Sequence, residues 1–174
     1  ALKTSPGLAS GQVAFEFHPE FASNGKFYTV HSEFLHAPLG GETAAIVPPL
    51  GNYTQSSVLL EWVATDPSAT VFSGTRRELL RIGTPGRIHP MGDVGFRAGA
   101  APGDSDYGQL FVSIGDGQSF ASGEQANLQR LDSYLGTVLR INPDLAATSN
   151  SALSSNGQYR IPNDNPWAAD NDSD

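Results

Sequence analysis

Cysteine is absent from this sequence, which excludes disulfide bonds, thiol catalysis and cysteine-ligated zinc sites. Charged residues are scarce at 16%, and acidic ones dominate to give a net charge of −8. Because such a chain repels phosphate backbones, we expect no nucleic-acid partner. No apolar run approaches the ~20 residues that span a bilayer, so we expect no membrane span. The opening ALKTSPGLASG is turn-like and has no signal-peptide pattern.

The residues that are abundant indicate β structure. The 19 glycines and 12 prolines separate short runs that are rich in Val, Ile, Phe and Tyr. A helix of one or two turns is predicted within 122–136, because Ser122 and Gln125 have capping-box spacing and three leucines share one face. The segment from Ala146 onward is predicted to be loop, and the acidic stretch 170–174 a solvated tail. The predicted strands are QVAFEF (12–17), KFYTVHS (26–32), SSVLLEWVA (56–64), RRELLRI (76–82), GDVGFRA (92–98), QLFVSIG (109–115) and TVLRINP (137–143).

Most of these strands carry apolar residues on both faces, as strands do when both faces are covered. Few helices are predicted that could cover them, so sheets must stack on other sheets. The sequence therefore predicts an all-β fold, and its periodicity leaves a sandwich and propeller blades as alternatives. A tight turn is also predicted at Asn24-Gly25, a dipeptide typical of two-residue hairpins.

Two Gly-rich segments contain candidate catalytic residues. RIHPMGDVGF (87–96) places one of only four histidines beside a turn, and LFVSIGDGQ (110–118) ends an apolar strand in Gly-Asp-Gly. An imidazole titrates near neutral pH and can accept a proton, and a carboxylate on its other nitrogen orients it. The two segments together predict a general base, His89, held by Asp116. The alternative for Asp116 is structural, because Asp-Gly is also a favoured hairpin dipeptide.

Six segments, in this order, resemble the quinoprotein sugar dehydrogenases, the soluble glucose and aldose dehydrogenase/sorbosone dehydrogenase family. The segments cover nearly the whole chain, so the resemblance is specific although no single segment would be. They are GQVAFEFHPEFASNGKFYTVHS (11–32), SSVLLEWVATDPSATVFSGTRRELLRI (56–82), IHPMGDVGF (88–96), LFVSIGDG (110–117), LGTVLRINPD (135–144) and YRIPNDNPW (159–167).

The resemblance implies part of a six-bladed β-propeller, about two to three four-stranded blades of it. It implies an enzyme that oxidises the anomeric carbon of aldoses by hydride transfer to pyrroloquinoline quinone (PQQ), with Ca²⁺ bound. By motif, His89 matches the base, Asp116 its orienting carboxylate, and Gln118 a sugar-contacting glutamine. Residues 1–174 are then the N-terminal and central part of one propeller domain. The remaining blades and the ligands of PQQ and Ca²⁺ are expected outside this chain, in a longer parent or a second polypeptide. The resemblance also implies a periplasmic or secreted location.

The sequence departs from the family pattern around the histidine. Pro90 replaces the asparagine that follows the base, Met91 replaces a glycine, and Ile88 stands where some glucose-oxidising members carry an aspartate. These departures keep a second hypothesis open, a β-propeller that serves as a binding module and has lost the chemistry.

The other histidines and two arginines within strands are assigned structural roles. His18, in Phe-His-Pro, is predicted to shape a turn, whereas His31 and His36 are predicted to lie on the surface. Arg81 and Arg140 interrupt apolar strands and are predicted to pair with carboxylates.

Overall fold

A computed structural model of the chain describes residues 11–35, 41–121 and 123–166. His36, Ser122 and the acidic stretch 170–174 lie outside the described residues. Antiparallel sheets make up nearly all of the regular structure, so the predicted all-β class is confirmed. Within the described ranges, no helix has the length and apolar character needed to cross a membrane.

The described chain contains nine strands, one single-turn α-helix and one 3-10 helix. In chain order these are β1 (Gln12–Phe17), α1 (Phe21–Asn24), β2 (Lys26–Phe34), β3 (Gln55–Ala64), β4 (Gly74–Thr84), β5 (Met91–Phe96), β6 (Leu110–Ile114), the 3-10 helix (Gln125–Gln129), β7 (Thr137–Ile141), β8 (Ser151–Leu153) and β9 (Arg160–Pro162).

The first sheet is a four-stranded meander in which β1 to β4 pair with their neighbours in chain order. This is the strand number and order of a propeller blade. β3 is buried on both faces from Gln55 to Glu61, as its apolar pattern predicts. The link between β1 and β2 differs from the predicted two-residue hairpin, because α1 completes one turn and Gly25 ends it in the left-handed conformation (φ 67°). A Cβ at Gly25 would lie 2.5 Å from the Ala64 carbonyl oxygen, so only glycine fits there.

The second sheet contains β5, β6 and β7, and β8 pairs with β9 in a two-stranded ribbon. The prediction that the chain is loop from Ala146 onward was wrong in this respect, because strands of three residues are too short to give a periodic signal. β7 also departs from prediction, since Val138 is exposed and only one face of the strand is covered. Arg140 pairs with Asp164 at 2.5 Å, which confirms its predicted role.

The core lies between the first and second sheets. The rings of Tyr28 and Phe96 meet across this interface, with centroids 5.7 Å apart. Burying each large apolar side chain there contributes roughly 1.5–3 kcal/mol to folding. The core residues include Val30, Leu59, Leu80, Met91, Val94, Leu110, Val112 and Ile114.

The predicted helix within 122–136 is reduced to one 3-10 turn, Gln125–Gln129. Leu135 is buried but Leu131 is exposed, so the leucines do not share a face. Because the 3-10 turn ends at Gln129, the 3.6-residue period that would align them is never established.

Arg81 is buried inside the first sheet and anchors a charged network. Its guanidinium donates to Glu78 at 2.8 and 2.9 Å and to Glu33 at 2.8 Å, which confirms the predicted carboxylate pairing. The segment 41–47 covers this network, because Thr43 donates its backbone N–H and its hydroxyl to Glu78 at 2.9 and 2.7 Å.

Two further histidines have structural partners. His18 Nδ1 lies 3.0 Å from the Glu20 N–H and 2.9 Å from Asn24 Nδ2, so His18 shapes the turn as predicted. The prediction that His31 lies on the surface was wrong. Its ring is buried and its Nε2 lies 2.8 Å from Glu33 Oε1, because the covered half of the first sheet includes this position.

Candidate active site

The two predicted catalytic residues meet at one end of the second sheet. His89 precedes β5 and Asp116 follows β6, and the pairing of Met91 with Ile114 brings these two strand ends together. His89 Nδ1 lies 2.6 Å from Asp116 Oδ1. The histidine side chain is 62% exposed and the aspartate side chain 18% exposed. A histidine and a carboxylate that are 27 residues apart in sequence thus form a close pair at the surface.

The two glycines that flank Asp116 allow the histidine loop to come this close. Gly115 N–H donates to the Pro90 carbonyl at 3.1 Å, and Gly117 N–H donates to the His89 carbonyl at 2.8 Å. A Cβ at Gly115 would lie 2.6 Å from the His89 carbonyl oxygen. A Cβ at Gly117, whose φ is +58°, would lie 2.9 Å from the Cβ of Thr84. Close approach therefore explains both glycines, to the His89 backbone at Gly115 and to the Thr84 side chain at Gly117.

The hairpin alternative for Asp116-Gly117 was wrong. β6 ends at Ile114 and its next partner strand, β7, begins only at Thr137. A two-residue hairpin would have returned the chain immediately. Asp116 instead lies in a loop that turns back onto the strand end where β5 begins, and its carboxylate holds that loop.

The backbone at the site is unusual. His89 has φ +52° and Gln118 has φ +70°, a left-handed conformation that side chains other than glycine rarely adopt. Asn150 is the other non-glycine residue with positive φ in the described part of the chain. Such strain persists where the surrounding contacts hold it, and it is found preferentially at functional sites.

Hydrogen bonds keep the Asp116 carboxyl ionised. Burial alone raises its pKa, but the bond to His89 and the backbone N–H groups of Gln118 and Phe120 outweigh burial and hold the pKa of Asp116 below its ordinary value. Those N–H groups lie 3.2 and 3.4 Å from its oxygens. An ionised carboxylate accepts a hydrogen bond from Nδ1–H, and in the tautomer that this bond selects the lone pair is on Nε2.

Gln118 contacts the histidine loop through its side chain. Its Oε1 accepts a hydrogen bond from the Arg87 backbone N–H at 2.8 Å, which sequence reasoning missed because it joins two loops far apart in sequence. Arg87 itself is exposed, and its guanidinium has no ion pair among the described residues. The bond from the Arg87 N–H to Gln118 has no local sequence signal.

The dyad, by which we mean His89 and Asp116, lines neither of two cavities formed by the described residues. One cavity of about 500 Å³ lies on the outer face of the second sheet, beside Phe111 and Val138. The other, of about 830 Å³, lies between β7, β9 and residues 128–134. Neither is lined by the dyad, so the geometry of the dyad, and not either cavity, indicates the site.

The described residues offer no side-chain cluster for a metal ion such as Ca²⁺. No group of three or more His, Cys, Asp or Glu side chains among them could hold a metal ion. The dyad also lines neither of the two cavities described above.

The sequence was also compared with known proteins. No protein-family model matches it. Over 183 aligned residues it is 26% identical to the HIPL1 protein of Arabidopsis thaliana, an alignment that covers 92% of this chain and 25% of that protein. Among solved structures, the chain is similar to the apo form of the soluble aldose sugar dehydrogenase of Escherichia coli, with a TM-score of 0.45 and 17% identity. That match covers 96% of this chain and 45% of the other. The chain thus spans about a quarter of the curated relative and less than half of the solved one.

Proposed function

We propose that this chain carries the general base of a sugar dehydrogenase of the quinoprotein aldose type. The observation that carries the proposal is the 2.6 Å contact between His89 Nδ1 and Asp116 Oδ1, with the imidazole otherwise exposed. The substrate class rests on the six sequence segments that resemble this family, with the dyad at the matching positions.

The chemistry assigned to the chain is a proton transfer. His89 Nε2 accepts the proton of the anomeric hydroxyl group, and Asp116 stabilises the imidazolium that forms. The electron pair left on the oxygen forms the new carbonyl as the hydride leaves the anomeric carbon. A positioned base of this kind contributes roughly 10²–10⁴-fold to the rate. The hydride acceptor, PQQ by the family resemblance, and Ca²⁺ would be held by residues other than those described.

The proposal includes a domain larger than residues 1–174. We place this chain as part of a six-bladed β-propeller whose remaining blades belong to a longer parent chain or a second polypeptide. The blade-like first sheet and the greater length of both relatives support this. A periplasmic or secreted location is part of the same proposal.

The test is dye-linked aldose oxidation by the complete propeller, this chain together with the remaining blades of its parent or partner polypeptide, supplied with PQQ and Ca²⁺. We expect His89→Ala to abolish most of the activity and Asp116→Asn to lower it. Arg76→Ala, an exposed change on β4, is the control and should leave the rate unchanged. Equal rates in the wild type and His89→Ala would refute the assignment of the base.

A binding module without catalysis is the second candidate. It is favoured by the exposed dyad, which lines neither of the two cavities described above, and by Pro90 and Ile88 beside the histidine. Calorimetry that measures aldose binding, run together with the oxidation assay, distinguishes the two candidates. Sugar binding with no oxidation in the PQQ-loaded protein would favour the module.

A further inference from the structure

We propose that Gln118 is a positioning residue that clamps the histidine loop onto the aspartate loop and so sets the orientation of the His89 ring. The inference rests on the proposed function only where activity is the readout. It gives Gln118 a role different from the sugar contact that the family resemblance implies.

Gln118 forms hydrogen bonds both to Asp116 and to the loop that carries His89. Its backbone N–H donates to Asp116 Oδ1 at 3.2 Å, the same oxygen that faces His89 Nδ1. Its side-chain Oε1 accepts from the Arg87 N–H at 2.8 Å, two residues before the histidine. One residue therefore links the carboxylate to the backbone that carries the imidazole.

The backbone around Gln118 supports its contact with the Arg87 N–H. The Gly86 N–H donates to the Gly117 carbonyl at 2.8 Å, which brings the two loops side by side. A Cβ at Gly86 would lie 2.3 Å from Gln118 Oε1 and 2.4 Å from Gln118 Cβ, so the glutamine side chain lies directly against this glycine. Gln118 also has a left-handed φ of +70°. Such a conformation is retained when several contacts hold it.

The role requires an acceptor atom, and this separates it from a sugar contact. The Arg87 N–H needs an oxygen at the end of the side chain, which Glu supplies and Leu does not. Gln118→Glu should therefore keep the clamp, and Gln118→Leu, of similar size, should release it. Gln129→Leu, at an exposed glutamine of the 3-10 helix, is the matched control.

The experiment is proton–nitrogen NMR of the full chain, following the proton shared by His89 Nδ1 and Asp116. We expect a protected downfield signal in the wild type, Gln118→Glu and Gln129→Leu, and its loss through fast exchange in Gln118→Leu. If the Gln118→Leu protein has the circular dichroism spectrum of the wild type and still shows the downfield signal, the clamp proposal is refuted.

A second variant keeps the test decisive if Gln118→Leu fails to fold. Gly86→Ala drives a methyl group into the space of the Gln118 side chain and should remove the same signal. A folded Gly86→Ala protein with the wild-type signal would equally overturn the clamp.

Kinetic measurements distinguish failure of the clamp proposal from failure of the proposed function. If the clamp holds, Gln118→Leu lowers kcat, by up to about 10²-fold for a misplacement near 1 Å, with KM little changed and with Gln118→Glu restoring the rate. A raised KM with unchanged kcat and an unchanged NMR signal would make Gln118 a sugar contact and refute the clamp. If the wild type oxidises no aldose while the NMR signal behaves as expected, the proposed function fails and the clamp stands.

Discussion

Among the residues that the structure describes, two histidine–carboxylate pairs have similar geometry and opposite surroundings. In the first sheet, His31 Nε2 lies 2.8 Å from Glu33 Oε1, and the two side chains are only 8% and 13% exposed. At the end of the second sheet, His89 Nδ1 lies 2.6 Å from Asp116 Oδ1, and the histidine is 62% exposed. A buried pair of this kind holds strands and a loop together, whereas an exposed ring can take a proton from a ligand. The contact alone does not distinguish the two roles, but the exposure of the ring does.

The two pairs also differ in what surrounds the carboxylate. Burial raises the pKa of Glu33, but His31 and the Arg81 guanidinium outweigh it and hold the pKa below the ordinary value. Asp116 is held by His89 and by the backbone N–H groups of Gln118 and Phe120. The buried pair is therefore part of an ionic network, and the exposed pair is supported by a loop.

The largest expected effect concerns the buried network. Arg81→Met leaves Glu33 and Glu78 buried without their cation, and removing one partner of such a pair destabilises a protein by about 3–5 kcal/mol. Urea denaturation measures this, with Arg76→Ala as the exposed control. A loss below about 1 kcal/mol, the value typical of a surface salt bridge, would show that the network is not buried as described.

The next effect separates the two histidines. We expect His89→Ala to lower aldose oxidation by roughly 10²–10⁴-fold. At this exposed site it should change the free energy of unfolding by no more than about 0.5 kcal/mol.

His31→Ala should do the reverse, leaving oxidation unchanged and costing about 1–3 kcal/mol of stability because Glu33 loses a buried partner. Denaturation and rate measurements on both variants provide the comparison. If both variants lost activity equally, or both lost stability equally, the distinction between the pairs would fail.

A smaller effect concerns the glycines that hold the exposed pair. Gly115→Ala places a Cβ 2.6 Å from the His89 carbonyl oxygen, so the histidine loop must move. We expect a loss of stability of about 1–3 kcal/mol, the usual range for overpacking, with a lower oxidation rate. Gly95→Ala is the matched control, since nothing lies within 4 Å of its added Cβ. Equal behaviour of the two alanine variants would contradict the close approach of the loops.

The smallest effect is the pH dependence of stability at the exposed pair. Asp116 has a lower pKa in the folded protein than its ordinary value of 3.8, so the unfolded chain binds its proton more readily. The stability that this group contributes is present above about pH 4 and is lost as the pH falls through the folded pKa. Thermal unfolding between pH 7 and pH 3 should therefore show a larger loss for the wild type than for Asp116→Asn. Parallel curves would mean that the hydrogen bonds to this carboxylate contribute no stability.

Much of the strand content follows from local patterns. The run QVAFEF predicts β1 at its observed bounds, and SSVLLEWVA predicts β3 to within one residue. β8 and β9 were missed because three-residue strands form only where long-range pairing supports them. The turn at Gly25 was assigned the wrong type, because its helical turn depends on contact with Ala64 at the far end of β3.

The sequence predicted which residues form the candidate site, but not the contacts that hold them in place. His89 and Asp116 stand out because a lone histidine and a Gly-Asp-Gly segment adjoin apolar strands. The bond from the Arg87 N–H to Gln118 joins residues 31 apart in sequence, and no local pattern reports it.

The sequence by itself determined the all-β class, most strand positions and the two strand ends that carry His89 and Asp116, because alternation of apolar residues and turn chemistry are local properties. Only the tertiary structure decided that the His31 pair is buried and the His89 pair exposed. Burial depends on what returns to cover a residue, and here the segment 41–47 lies over the first sheet through Thr43 and Glu78 while no described segment covers the His89 ring.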